Sequence, residues 1–198
     1  LHQIMPGFPD EVHSASSASR VCDPAFFDCT LAKLGASLAH ITPHMRGRAM
    51  CEIFGAYGWA EDSAFMKRLM DHMLVRGINH FVPHAFSPTY PDPDCPPHFG
   101  AGGCDPSFDA FTALMRYTNR TAHLLAGAAH VASVALLYHA EGEWASAFHQ
   151  AMPVDLPAQA LMNGHIDFDI LPADVLADAD VTGGRLRILR ETYGALIV

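Results

Sequence analysis

Gly47-Arg48-Ala49-Met50-Cys51-Glu52-Ile53-Phe54-Gly55-Ala56-Tyr57-Gly58-Trp59 opens a stretch that closes on Asn79-His80-Phe81-Val82-Pro83-His84-Ala85-Phe86. Two short apolar runs flank an amphipathic segment. Each run ends in polar and aromatic residues instead of fading into plain turn chemistry. This is the pattern of a strand–helix–strand unit whose C-terminal strand ends carry chemistry. The connecting segment has apolar residues at helical spacing: Phe65, Met66, Leu69, Met70, Met73 and Leu74. Glu61-Asp62-Ser63 reads as its acidic N-terminal cap, and Arg76-Gly77 as its stop.

Working outward, Asp10–Ser19 is a small, Ser-rich loop, and Asp23-Pro24 opens a helix expected to reach about His40. Downstream of His84, the Pro/Gly-rich stretch Ser87–Pro106 is long enough to suggest a functional loop. Phe108, Phe111, Leu114, Thr118, Ala122 and Leu125 then line one face of a long helix. A second segment begins near His130. Val131–Tyr138 is a near-continuous apolar run, as in a buried parallel strand. Two short helices are expected over Trp144–Asn163, a strand over Ile166–Leu171 and a helical turn at Leu176–Asp178. Arg185–Leu189 and Tyr193–Val198 read as strands around a Glu191-Thr192 turn. The alternation implies an α/β fold with parallel sheets.

Composition bounds the function. The chain has 198 residues, half of them apolar and 17 % charged, with net charge −9. No apolar run approaches the roughly 18 residues of a membrane span. The acidic balance and lack of a basic cluster argue against nucleic acid and anionic membranes as partners. Five cysteines without a CxxC pair read as free thiols and lean toward a reducing, cytoplasmic compartment, although Cys95 and Cys104 share a loop. Position 1 is Leu, and an apolar strand runs to position 198 without a turn, so both ends look cut from a longer chain.

Several chemistries lack their motifs. GxSxG and GxGxxG are absent. Thirteen histidines invite a metal reading, but HExxH is missing, and His80 and His84 on one strand face would stand about 13 Å apart. His40 and His44 straddle Pro43. The expectation is no metal and no cofactor. Glu52 is different, because a carboxylate within an apolar strand is expensive to bury unless it is paired or used. A salt bridge to Arg48 or another cation would explain it structurally. So would acid–base or nucleophilic work on a sugar, for which Tyr57 and Trp59 supply ring faces. His84 ends the next strand, either as a site residue or bonded to loop backbone.

The run Cys51–Trp59, with Met66-Lys67, Val75–Asn79 and Val82–Phe86, resembles large bacterial glycoside hydrolases of the α-L-rhamnosidase and β-galactosidase-like type. His130–Tyr138, Asp167–Leu171 and Tyr193–Val198 resemble strands of the flavodoxin-like domain that follows the barrel in β-galactosidase-like enzymes. The resemblance implies that 1–129 form the C-terminal portion of a (β/α)8 barrel. It implies that 130–198 start a flavodoxin-like domain like the β-galactosidase trimerisation domain. Ala49–Phe54 and Ile78–His84 would be the seventh and eighth barrel strands. Glu52 would then be the nucleophile of a retaining enzyme or the base of an inverting one. Tyr57, Trp59 and His84 would shape the site for a carbohydrate substrate. The second catalytic acid would come from an earlier strand outside this chain. A non-catalytic oligomerisation or carbohydrate-binding module is the alternative, and a homo-oligomer fits both readings. The isolated chain is expected to be inactive.

Overall fold

The computed structural model describes residues 30–55, 57–87, 89–94, 96–145 and 154–198. The expected Ser-rich loop, the Asp23-Pro24 helix start, and Cys22, Cys29 and Cys95 lie outside these residues. The chain divides into two compact units, Leu1–Cys29 with Met50–Gly127 and Thr30–Ala49 with Ala128–Val198. The helix before the opening stretch therefore groups with the C-terminal segment. Among the described residues, no helix is long and apolar enough to cross a membrane.

In the first unit, β1 (Met50–Ile53) and β2 (His80–Pro83) pair in parallel, with Glu52 opposite Val82 and Ile53 opposite Pro83. Helix α2 (Ser63–Leu74) connects them. Asp62 caps it by accepting a hydrogen bond from the Phe65 amide at 2.7 Å. Gly77, with φ of 94°, turns the chain after the helix, a conformation glycine adopts without penalty. Met66, Leu69, Met70, Met73 and Leu74 are all buried, as the helical spacing predicts. The long helix α3 (Phe108–Ala126) contacts α2, and Tyr117 donates a hydrogen bond to Asp71 at 2.6 Å. Leu125, expected on its apolar face, is exposed.

The second unit is built on a parallel sheet of β3 (Val134–Tyr138), β4 (Phe168–Pro172) and β8 (Ala195–Ile197), in spatial order β4-β3-β8. Helix α1 (Thr30–Ile41) lies against β4. Helices α4 (Ala140–Trp144) and α5 (Asp155–Asn163) follow β3. Val134, Leu136, Phe168 and Ile170 meet Ala158 and Leu161 of α5 on one face. Ala135 and Leu171 meet Ile41, Ile188 and Tyr193 on the other. That second face is covered by an antiparallel sheet of β5 (Ala179–Thr182), β6 (Arg185–Ile188) and β7 (Glu191–Tyr193), preceded by a 3-10 turn over Ala173–Asp178. The sequence reading anticipates β6 and β8 but takes Glu191-Thr192 for a turn where the structure has β7; β5 goes unrecognised. The α/β class with parallel sheets is observed.

Candidate functional site

The register of β1 sets the site. Cys51 and Ile53 point into the core, and Met50 and Glu52 point out. The expectation that Glu52 is buried in its strand is therefore corrected: its side chain is 55 % exposed. Alternation along the strand puts every second residue on the same face, so apolar sequence neighbours do not bury it. Its partner is not Arg48. His84, just beyond β2, brings Nδ1 to 3.4 Å from Glu52 Oε1. The parallel pairing puts both residues near the same C-terminal edge, and the His84 amide donates to the Ile53 carbonyl at 2.8 Å. On its other side, His84 Nε2 lies 3.7 Å from Asp94 Oδ2. His84 thus stands between two carboxylates, both more than half exposed, while its own ring is largely covered. Ion pairs this open are worth little to stability. Their interest is positional.

The long loop after β2 is held against the strand ends. Ala85 donates to the Pro97 carbonyl, Phe99 to the Ala85 carbonyl, and Gly58 to the Pro96 carbonyl. Beneath it, Phe99 stacks on Phe111 with centroids 4.0 Å apart, and Phe86 packs against both. His98 is buried within this loop. Its Nε2 is 3.0 Å from the Asp94 carbonyl and its Nδ1 2.7 Å from Ser87 Oγ. A carbonyl only accepts, so Nε2–H donates to Asp94 and, in the neutral ring, Nδ1 accepts from the Ser87 hydroxyl. The histidine fixes the loop that carries Asp94.

Trp59 is half-exposed, with its ring beside His98 (5.7 Å) and edge-on to Tyr90 (6.3 Å). It offers an open aromatic face. Tyr57 does not: it is 1 % exposed and packs edge-on against Phe65. Phe54, between Glu52 and the loop, is fully buried and holds a φ of 80°. That backbone region is unfavourable for a bulky residue and recurs where surroundings impose a functional geometry.

Glu61 is the residue that sequence reasoning misread. Asp62 takes the capping role, and Glu61 is buried with neither carboxylate oxygen hydrogen-bonded. Burial, and secondarily the neighbouring Asp62 charge, push its pKa up to about 9. It holds a proton at neutral pH. Burial also raises the Cys51 thiol to about 11, which makes it an inert core residue and not a nucleophile. The free cysteines among the described residues are Cys51 and Cys104.

Neither a protein-family model nor a curated protein matches the chain. A solved structure does. The fold resembles part of a rhamnosidase. The match, to the rhamnosidase from Novosphingobium sp. PP1Y, has a TM-score of 0.55 at 19 % identity. It covers 84 % of this chain and 16 % of that one. At such identity the likeness is one of fold. The chain spans less than a fifth of the rhamnosidase it matches.

Proposed function

We propose that this chain is part of a glycoside hydrolase and that its first unit supplies one side of a carbohydrate site. The observation that carries the reading is the Glu52–His84 pair at neighbouring C-terminal ends of two parallel strands, 3.4 Å apart. In barrel enzymes that edge carries the chemistry. The fold likeness to a portion of a rhamnosidase supports the same class. Under this reading β1 and β2 are the last two strands of a (β/α)8 barrel. Two strands alone leave open edges, which a closed barrel removes. The order β4-β3-β8 supports a flavodoxin-like second domain, because it places the second parallel strand, the first and the third side by side, as the order 2-1-3-4-5 begins.

Glu52 then acts on the anomeric carbon, as nucleophile in a retaining enzyme or as the base for water in an inverting one. His84 donates toward Glu52 and fixes the carboxylate. Trp59 stacks on the apolar face of a sugar ring, and Tyr57 supports that loop from inside the core. Asp94, on the far side of His84, is a second carboxylate on the same rim. The general acid comes from an earlier strand outside this chain.

The test uses the complete protein that contains this chain, assayed on aryl rhamnosides and galactosides. Glu52→Gln should abolish turnover with an unchanged circular dichroism spectrum; near wild-type rates would end the assignment. A protein that binds glycans and cleaves none would instead support the non-catalytic module.

A further inference from the structure

In the second unit, three residues far apart in sequence converge on the entry side of the parallel sheet. His40 lies in the last turn of α1, His130 precedes β3, and Asp169 is the second residue of β4. Asp169 is fully buried, His40 nearly so, and His130 largely so. His40 Nδ1 is 2.8 Å from Asp169 Oδ1, and His130 Nδ1 is 3.5 Å from Asp169 Oδ2. One donor atom from each residue falls within a common span of 4.8 Å. Ligands about 2.0–2.1 Å from one ion in tetrahedral array stand roughly 3.3 Å apart, close to these separations.

Two further observations point to a cation. His130 Nδ1 is buried and makes no hydrogen bond, yet it faces Asp169 and, at 3.7 Å, Glu191 Oε2. The charge is also unbalanced. Asp167, Asp169 and Glu191 surround the two rings, while among the described residues Lys33 is the basic side chain paired there, to Asp167 at 2.7 Å. With both imidazoles neutral, the cluster is two positive charges short. Two imidazolium ions would supply them only by placing like charges in rings stacked 3.6 Å apart. One divalent cation supplies them without that repulsion.

We propose that His40, His130 and Asp169 bind a divalent transition-metal ion of the zinc class, with solvent completing the shell and Glu191, 3.7 Å from His130, as a neighbouring carboxylate that supports it. Two imidazoles and one carboxylate suit zinc, cobalt or nickel better than calcium or magnesium, which take all-oxygen shells. Tyr193 donates a hydrogen bond to Asp169 Oδ2 at 2.9 Å from a fully buried position, the outer-shell support that orients a ligating carboxylate. Ligation through Nδ1 requires neutral His40 to give up the proton it shares with Asp169 there and carry one on Nε2 instead, a change of tautomer with no net proton released. The near-parallel rings, 17° apart, must splay for their lone pairs to converge. The ion ties α1, β4 and the approaches to β3 and β7 together at the edge opposite the strand C-termini, so its role is structural.

The test takes the purified, tag-free chain, strips it with a chelator, and titrates Zn2+ and separately Co2+. The expected result is a single tight equivalent that survives desalting, raises Tm and gives the intense visible absorption of four-coordinate Co2+. His130→Ala, at the more open edge, should lose binding at least tenfold, as should Glu191→Gln to a smaller degree. His44→Ala and His80→Ala should leave it unchanged. If the wild-type chain takes up no metal, or binds it equally after His130→Ala, the proposal is wrong and the cluster holds protons only. If His130→Ala fails to fold, His130→Gln and the cobalt spectrum of the wild type decide.

Discussion

Replacing Glu61 with Gln should make the first unit more stable at neutral pH, because the folded chain has to keep this buried carboxyl protonated. The carboxyl is buried and has no hydrogen-bond partner, and its pKa is raised from 4.5 to about 9, first by burial and then by Asp62. Below pH ~4.5 it is protonated in both folded and unfolded chains and contributes no pH dependence. Between pH 4.5 and about 9 the unfolded chain ionises while the folded one keeps its proton, so stability falls by about 1.4 kcal/mol per pH unit. Above about 9 both forms are ionised and the loss levels off. At pH 7 the accumulated loss is on the order of 3 kcal/mol, an upper limit because local water entry relieves it. A neutral glutamine of nearly the same shape escapes this loss. Trp144 is exposed, so Trp144→Phe leaves Trp59 as a fluorescence reporter of the first unit. Urea unfolding in that background should show Glu61→Gln and the parent within about 1 kcal/mol at pH 5. The variant should be ahead by about 2–3 kcal/mol at pH 7 and by more at pH 8. Parallel stability curves from pH 5 to 8 would refute the argument, since a carboxyl ionised in the folded state cannot give that divergence.

Asp62→Ala removes the cap hydrogen bond to Phe65 and should cost about 1 kcal/mol in the same urea assay, confirming Asp62 rather than Glu61 as the cap. Leu136→Ala, at 2 % exposure in the central strand of the second unit, should cost about 2–5 kcal/mol and be read by far-ultraviolet circular dichroism. In the complete protein, Glu52→Ala should raise the barrier by several kcal/mol, roughly a thousandfold or more in kcat/KM, with an intact fold. The purified 198-residue chain should not hydrolyse aryl glycosides; turnover lost on Glu52→Gln would overturn that expectation.

Elements with a clean apolar period were legible in the sequence. Met66 to Leu74 repeats at threes and fours, and α2 buries those side chains as the spacing requires. Val134–Tyr138 is apolar without interruption because β3 is covered on both faces. By contrast β5, reading Ala179-Asp180-Val181-Thr182, is largely exposed, and its apolar–polar alternation runs over only four residues. It is ordered by antiparallel pairing to β6 across the two-residue turn Gly183-Gly184, both at positive φ, so the local signal for it is the glycine pair and not the strand itself. The candidate site divides the same way. Glu52 and His84 stand out in the sequence because strand ends mark themselves with a change of residue type. Their contact depends on register. Glu61 was misread because its neighbour Asp62 has the same charge and the better cap geometry. His40 and Asp169 stand 129 positions apart, with no spacing rule to join them.

The exposure of Glu52 changes the chemical argument for it without weakening it. A buried carboxylate would have announced itself by its cost; an exposed one must be judged by what shares its face. Met50, beside it on β1, is 64 % exposed, and Val82, opposite it on β2, is 50 % exposed. Large apolar side chains on the open face of a two-stranded parallel pair are costly, because parallel sheets are ordinarily covered on both sides. In a closed barrel that face would turn inward, with Met50 and Val82 packed among the side chains of the other strands. Glu52, one step nearer the C-terminal end than Cys51, would stand at the top of that packed interior with His84 and Trp59 around it. Under the proposed barrel, the other strands would bury the apolar residues and dry the carboxylate enough for it to act. Stability and catalysis would then be restored by one event, and for this reason inactivity is the expected behaviour of the chain alone.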